Sequence, residues 1–356
     1  MTNKIVFTGG GTAGHVTPNI ALLHRLQALG WQCSYIGSKN GIEQQLMGSE
    51  SIPYFSISSG KLRRYFSLQN FIDPFKISFG ILQAYYHLSK IKPDLVFSKG
   101  GFVSFPVVVA AWLKRIPVIA HESDITPGLT TKLSVPFAKH ICVTFAKGKQ
   151  YFKHQEKVVI TGTPIRRSLF EGDKDKAWHL CRFQDPHKPC LLIIGGGLGA
   201  MPINNVIHQN IQQLVEQYNI IHLCGKGKTQ PQIELVGYCQ FEYVQSELAD
   251  LFALADLVIS RSGANSVYEI LSLEKPHIFV PLPLKVSRGD QIQNAKYFHE
   301  LGVSYVLEEE KLSLTSLLEA VENVFNHKEE RLQKLKSLQL ASGTENIIKL
   351  VKEVAA

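Results

Sequence analysis

Asp256–Asn294, DLVISRSGANSVYEILSLEKPHIFVPLPLKVSRGDQIQN, joins two short apolar runs through a turn of small residues and a helix-patterned segment. Asp256–Ser260 and Pro276–Val280 have the composition of strands buried on both faces. Between them, Arg261-Ser262-Gly263-Ala264 reads as a tight turn, and Val267, Ile270 and Leu271 recur at helical spacing from Asn265 to Leu273. A helix that starts from such a turn presents unpaired N–H groups and the positive end of its dipole, which suits an anion such as a diphosphate. Glu269 stands one helical turn after Asn265, on the same face, where a carboxylate can accept bonds from two ribose hydroxyls. Arg288, Asp290, Gln291 and Asn294 in the following loop carry donors and acceptors suited to a sugar. An ordinary strand-turn-helix unit with a polar loop has the same local pattern, so the glycine turns elsewhere in the chain decide between the two.

That plan recurs. Lys4–Thr8 is a strand followed by Gly9-Gly10-Gly11-Thr12-Ala13-Gly14-His15, with a helix starting near Thr17-Pro18. About half a chain later, Cys190–Ile194 leads into Gly195-Gly196-Gly197-Leu198-Gly199-Ala200 and a helix from Ile203. Asp94–Ser98, Pro117–Ala120, Ile141–Phe145 and Val158–Thr161 read as further short buried strands alternating with helical segments. Alternation of this kind predicts parallel sheets covered on both faces, in an α/β fold of two Rossmann-like, doubly wound domains facing across a cleft. The expected division is 1–163 and 164–340, with a tail at 341–356 whose helix, Glu345 to Val354, is free to return to the first domain. Gly9-x-Gly11-x-x-Gly14 also fits the dinucleotide fingerprint, but the second strand, Cys33–Ile36, runs into Gly37-Ser38-Lys39 with no acid to hold an NAD ribose.

Composition narrows the class. The 356 residues include six cysteines with no CxxC pair and no metal-ligand spacing, so reduced thiols and no metal are expected. Asp173-Lys174-Asp175 is formally a DxD but lies in a solvated charge run rather than at a strand end. A strand beginning by Lys4 leaves no room for a signal peptide, and no apolar run reaches the roughly 18–20 residues that span a bilayer, so a cytoplasmic protein is expected. A net charge of +8 points to an anionic partner. Lys61, Arg63 and Arg64 stand just before a helix with apolar stripes on two sides, Phe75, Phe79, Leu82 and Tyr86 on one, and Ile77, Ile81, Tyr85 and Leu88 on the other. Asp73-Pro74 reads as its N-cap and first residue, and Trp112-Leu113-Lys114-Arg115 repeats the aromatic-basic theme. Cations clustered beside apolar residues favour an anionic membrane surface over nucleic acid, which calls for aromatics threaded through a basic groove.

Phe7–His15, Ser98-Lys99-Gly100-Gly101-Phe102-Val103-Ser104, His121-Glu122-Ser123-Asp124, Gly162-Thr163-Pro164-Ile165-Arg166, Gly195–Ala200, Arg261–Ala264 and Asp290-Gln291, in this order, make the chain resemble the MurG family of peptidoglycan glycosyltransferases. The resemblance implies a GT-B fold and inverting transfer of N-acetylglucosamine from UDP-N-acetylglucosamine to undecaprenyl-diphosphate-linked N-acetylmuramoyl-pentapeptide. It also implies attachment to the cytoplasmic side of the cell membrane, with no cofactor and no obligatory active-site metal. Carried over by position, Thr12, Ala13 and Gly14 border the donor sugar and diphosphate, Arg166 lies near the bound nucleotide sugar, and Gly197 keeps a backbone N–H for the phosphate. Gly263, Ala264, Asn265, Ser266 and Glu269 form the nucleotide clamp, Gln291 meets the N-acetylglucosamine, and Gly101, Glu122 and Asp124 border the acceptor. Many relatives carry serine where this chain has Gly197, and some carry asparagine in place of Asp124.

Inversion by one displacement needs a base for the acceptor hydroxyl and positive charge for the departing UDP. His15, next to a helix start that disfavours the imidazolium, is the first choice for the base, with Glu122 and Asp124 as rivals. The alternatives are a UDP-sugar epimerase on the same paired-domain fold, an NAD oxidoreductase and a membrane-bound nucleotide-sugar sensor.

Overall fold

The computed structural model describes residues 2–60, 69–197, 199–340 and 342–356. Two compact units divide the chain: residues 1–166 with 341–356, and residues 167–340. In the first, β1 (Lys4–Thr8), β2 (Gln32–Ser38), β3 (Tyr54–Ile57), β4 (Leu95–Ser98), β5 (Val118–Glu122), β6 (His140–Val143) and β7 (Val158–Ile160) form one parallel sheet ordered β3-β2-β1-β4-β5-β6-β7. In the second, β8 (Cys190–Ile194), β9 (Asn219–Leu223), β10 (Tyr238–Phe241), β11 (Leu257–Ser260), β12 (His277–Phe279) and β13 (Tyr305–Val306) are ordered β10-β9-β8-β11-β12-β13, again all parallel. These are two Rossmann-like α/β sheets. Each has a topological switch point, between β1 and β4 in one and between β8 and β11 in the other, where open α/β sheets bind ligands.

Strand pleating explains the double cover. Ile5 and Phe7 of β1 face a core that includes Leu22, Leu26, Ile347 and Val351, whereas Val6 faces Val96, Val107 and Leu88 on the other side. The last helix, Gly343–Ala355, thus belongs to the first sheet, burying Ile347, Ile348, Leu350 and Val351 there. Its Thr344 hydroxyl donates to Ile165 O at 3.1 Å, and Gly343 lies so close to Thr163 that a Cβ would stand 2.1 Å from its carbonyl oxygen. In the second unit Leu191 and Ile193 of β8 pack with Ile203 and Ile207 in the same way.

Two expectations shift. The helix after the basic stretch runs Gln69–Ile91 with Pro74 inside it, so Asp73-Pro74 is not its start. A proline this near a helix start forfeits one backbone bond, which the turns on either side tolerate. The strand expected at Pro117–Ala120 extends to Glu122, drawing His121 and Glu122 into the sheet edge. Lys61, Arg63 and Arg64 lie outside the described residues.

On the surface of the first unit, Phe75, Phe79, Leu82 and Tyr86 are exposed, Phe75 at 78% and Leu82 at 67%, while Ala84 and Leu88 on the opposite side are fully buried. This helix packs along Ser104–Leu113, whose last turn leaves Trp112 and Leu113 half exposed. Lys114 Nζ stands 4.4 Å from the Tyr85 ring centre and Lys90 Nζ 4.5 Å from that of Tyr86. The result is one exposed apolar face rimmed by cations.

Candidate active site

At the first switch point, the loops after β1 and β4 interlock at their glycines. A Cβ on Gly101 (φ +80°) would stand 2.0 Å from Gly10 O, and one on Gly11 (φ +86°) would stand 2.6 Å from the Phe102 ring. Positive φ and the absence of space each require glycine there. The short helical turn Ala13–His15 follows, with Thr12 Oγ1 2.9 Å from His15 Nδ1. The His15 ring reaches over the second loop: a Cβ on Gly100 would be 3.9 Å from His15 Nε2.

Glu43, which carries no signal in the residue pattern, holds this arrangement from beneath. It is fully buried in the first turn of the Ile42–Met47 helix. Its carboxylate accepts from Gly11 N at 3.2 Å, Ser38 N at 3.0 Å and Ser38 Oγ at 2.5 Å. The acid absent from the end of β2 is thus supplied five residues later, and it binds the glycine loop itself. Glu43→Ala removes the acceptor of two part-buried N–H groups, Gly11 N and Ser38 N, so it should lower unfolding free energy by about 1–3 kcal/mol, measurable by urea denaturation.

The other side of this switch point is a buried chain of polar groups. Lys99 Nζ, at the end of β4, donates to His121 Nδ1 at 2.9 Å and to the Ser123 hydroxyl, and His121 Nε2 donates to Gly162 O at 2.9 Å. An ammonium facing Nδ1 places the imidazole proton on Nε2, so His121 is neutral; burial, then the Lys99 charge, hold it well below its ordinary value. Glu122 is committed to its own loop, with Oε1 accepting from Asp124 N at 3.2 Å and Oε2 from Gly128 N at 2.9 Å. That occupation argues against Glu122 as the base and makes it the support that sets the half-buried Asp124.

Burial lowers Lys99 from its ordinary 10.5 to about 8, against the pull of Glu122 and Asp124. The penalty for keeping Lys99 charged in the fold is full below pH 8 and is relieved as pH rises to 10.5, because the unfolded chain binds the extra proton in that window. The stability of the wild type relative to Lys99→Met should therefore rise with pH from about 8 to about 10.5. Paired denaturation curves across that range check it.

The second switch point repeats the design in other residues. After β8, Gly196 (φ +82°) and Gly199 (φ +68°) turn the chain, and a Cβ on Gly199 would lie 1.9 Å from Cys224 O. Gly197 is exposed, and a Cβ there would meet nothing within 4 Å, so a serine at this position would differ from it in chemistry and not in fit. After β11, Arg261 turns inward: its Nη1 donates to Val280 O and Pro281 O at 3.0 and 3.2 Å, and its Nη2 pairs with Glu309. It is a staple of the second unit, not a ligand of the clamp.

Gly263 precedes the Ala264–Ser272 helix, and no side chain caps that helix start. Val267, Tyr268, Ile270 and Leu271 are buried, which leaves Asn265, Ser266 and Glu269 as a partly exposed row. Gln291, in the first turn of the Asp290–Glu300 helix, accepts from Leu282 N at 3.1 Å through Oε1. Its Nε2 lies 4.0 Å from where a Gly263 Cβ would be. Asn294 Nδ2 donates to Ser262 O at 3.2 Å, tying this helix to the clamp.

Arg166 closes the first unit's run, half buried, with its Nε lacking a hydrogen-bond partner among the described residues. Asp173 is the N-cap of Lys174–Cys181, accepting from Asp175 N and Lys176 N at 2.9 and 3.3 Å, which accounts for the DxD without a metal.

Residues 5–143 match the glycosyltransferase family 28 N-terminal domain, and residues 190–351 match the glycosyltransferase family 28 C-terminal domain. The UDP-N-acetylglucosamine–N-acetylmuramyl-(pentapeptide) pyrophosphoryl-undecaprenol N-acetylglucosamine transferase of Legionella pneumophila (strain Paris) is 56% identical over 100% of this chain and 98% of its own length. The chain belongs to that transferase family. The transferase of the same name from Clostridium tetani is 50% identical over 99% of this chain and 98% of its own length. The crystal structure of Acinetobacter baumannii MurG covers 99% of both chains at 25% identity, with a TM-score of 0.76. Within this family the four loops at the two switch points are the elements to test first, because each is held by contacts that no larger residue would allow or by a buried polar group dedicated to it.

Proposed function

We propose that this protein transfers N-acetylglucosamine from UDP-N-acetylglucosamine to pyrophosphoryl-undecaprenol-linked N-acetylmuramyl pentapeptide, with inversion, at the cytoplasmic surface of the cell membrane. The observation that carries the proposal is identity at 56% along nearly the whole length of a transferase of that name. The clamp binds the nucleotide: the Ala264–Ser272 helix start faces the diphosphate, Glu269 accepts from the ribose hydroxyls, and Gln291 Nε2 donates to the sugar. Thr12, Ala13, Gly14, Arg166 and the Gly197 N–H stabilise negative charge on the departing diphosphate. In the tautomer whose Nδ1–H donates to Thr12 Oγ1, the His15 Nε2 lone pair takes the acceptor hydroxyl's proton. Asp124, set by Glu122, and Gly101 border the acceptor.

The test is transfer of labelled N-acetylglucosamine from UDP-N-acetylglucosamine onto a polyprenyl-diphosphate muramyl peptide, with and without chelator. Transfer that persists in chelator is expected. A UDP-sugar whose configuration changes with no glycosylated lipid formed would instead establish the epimerase reading.

Among the described residues no helix is long and apolar enough to cross a membrane. The exposed face of Phe75, Phe79, Leu82, Tyr86 and Trp112, with Lys76, Lys90 and Lys114 at its rim, suits the headgroup layer of an anionic bilayer, where each cation contributes about 1 kcal/mol. Lys61, Arg63 and Arg64 would add to it. The acceptor's tail stays in lipid, so this face brings the loops to the substrate. Phe75→Ser with Phe79→Ser is expected to weaken sedimentation with anionic vesicles and to slow transfer to full-length lipid acceptor several-fold. Transfer to a short-chain, water-soluble acceptor should be unchanged; equal slowing of both would place these residues in the catalytic machinery.

A further inference from the structure

Behind the 195–200 turn, three soft ligands converge from different elements. His208 lies on the Met201–Gln209 helix, His222 in β9 and Cys224 just past its end, and one ligand atom of each lies within 4.8 Å of the others. His208 Nε2 and Cys224 Sγ are 3.8 Å apart, close to the roughly 3.5 Å between neighbouring nitrogen and sulfur ligands of a tetrahedral zinc. The histidine rings are 5.0 Å apart, centre to centre.

The orientation of His222 is determined by its surroundings. Asn204 Nδ2 donates to Cys224 O at 2.8 Å, so Asn204 Oδ1, 3.0 Å from His222 Nε2, is left to accept that ring's proton. The lone pair is then on Nδ1, 3.1 Å from the Tyr238 hydroxyl. A neutral imidazole whose second N–H is held by an amide oxygen is the outer-shell arrangement typical of metal-bound histidine. Burial lowers His208 from its ordinary value, and it lowers His222 to about 3 together with the His208 charge. Cys224 is fully buried, while His208 is only partly so and gives an ion a way in.

We propose that His208, His222 and Cys224 form a three-ligand site for a thiophilic divalent ion of the zinc class, with the Tyr238 hydroxyl or a water completing the shell. Magnesium and calcium favour oxygen shells, and a set of two nitrogens and one sulfur does not suit them. Binding exchanges the Cys224 S–H proton for the metal–sulfur bond and releases that proton to solvent, with no change of oxidation state. Because the ligand is the thiolate and binding releases its proton, affinity should strengthen as pH rises. Because the Gly199 backbone presses on Cys224 O, an occupied site would pin the turn after β8 to the end of β9. The spacing from 208 to 224 matches no metal motif because helix and strand supply the ligands separately, and only their packing joins them.

The experiment uses the untagged full chain stripped with chelator. Cobalt(II) should give a thiolate-to-cobalt charge-transfer band, zinc should abolish it by displacement, and zinc should raise the melting temperature. His208→Gln should weaken cobalt binding at least tenfold, Cys224→Ser should remove the band, and Cys181→Ser, at a buried thiol outside the cluster, should change neither. Absence of the band, or its survival in Cys224→Ser, would overturn the site and leave a self-satisfied polar cluster. X-ray absorption of the zinc-loaded wild type needs no variant: one sulfur and two imidazole nitrogens support the assignment, and an oxygen shell or more than one sulfur overturns it.

Discussion

His15→Ala is expected to lower turnover by roughly 10²–10⁴-fold, the range for removing a general base. The donor should still bind, with UDP affinity within about twofold of wild type, because a proton acceptor acts mainly in the transition state. The geometry makes this a demanding test. His15 is bonded to Thr12 Oγ1 at 2.9 Å and leans over Gly100, so it touches both loops of the first switch point. Thr12→Val, which removes the bond to Nδ1 and keeps the ring, should show a smaller loss in the same direction. If His15→Ala retains wild-type turnover, the base is elsewhere. Asp124 is then the next residue to replace, since Glu122 already spends both carboxylate oxygens on Asp124 N and Gly128 N.

Glu269→Ala should weaken UDP binding by about 1.5–3 kcal/mol, roughly ten- to a hundredfold, because one carboxylate accepting from two hydroxyls makes charge-assisted bonds. The loss should appear in calorimetry with UDP alone, before any sugar or acceptor is present, and stability should change little because Glu269 is on the partly exposed row of its helix. Glu269→Gln keeps the shape and one acceptor oxygen and should fall between the two. Unchanged UDP affinity in Glu269→Ala would remove this residue from the ribose. The two variants separate cleanly: one loses chemistry and keeps the nucleotide, and the other loses the nucleotide.

The elements that were legible in the residue order are those whose signal is local. Lys4–Thr8 and Cys190–Ile194 form strands with the expected bounds because the apolar or small runs Ile5–Thr8 and Cys190–Ile194, set between turn signals, have no better use than a doubly covered parallel strand. The helix after Gly263 was legible from Val267, Ile270 and Leu271, all of which are buried. The short strands β3, β10 and β13 carry mixed, half-buried residues, so they have no comparable pattern and depend on a neighbouring strand to exist.

By itself, then, the amino-acid sequence determined two parallel α/β sheets, the positions of their glycine turns, and the family, since strand period, helix period and turn chemistry are properties of a few adjacent residues. Only the tertiary structure decided which groups the turns answer to. Gly101 against Gly10 O, Glu43 beneath Gly11, Lys99 against His121, Arg261 turned in to Glu309, and the last helix returned to the first sheet all join residues distant along the chain. Their partners are set by burial: a polar group taken out of water must find its complement wherever packing brings one, and sequence spacing carries no record of that meeting.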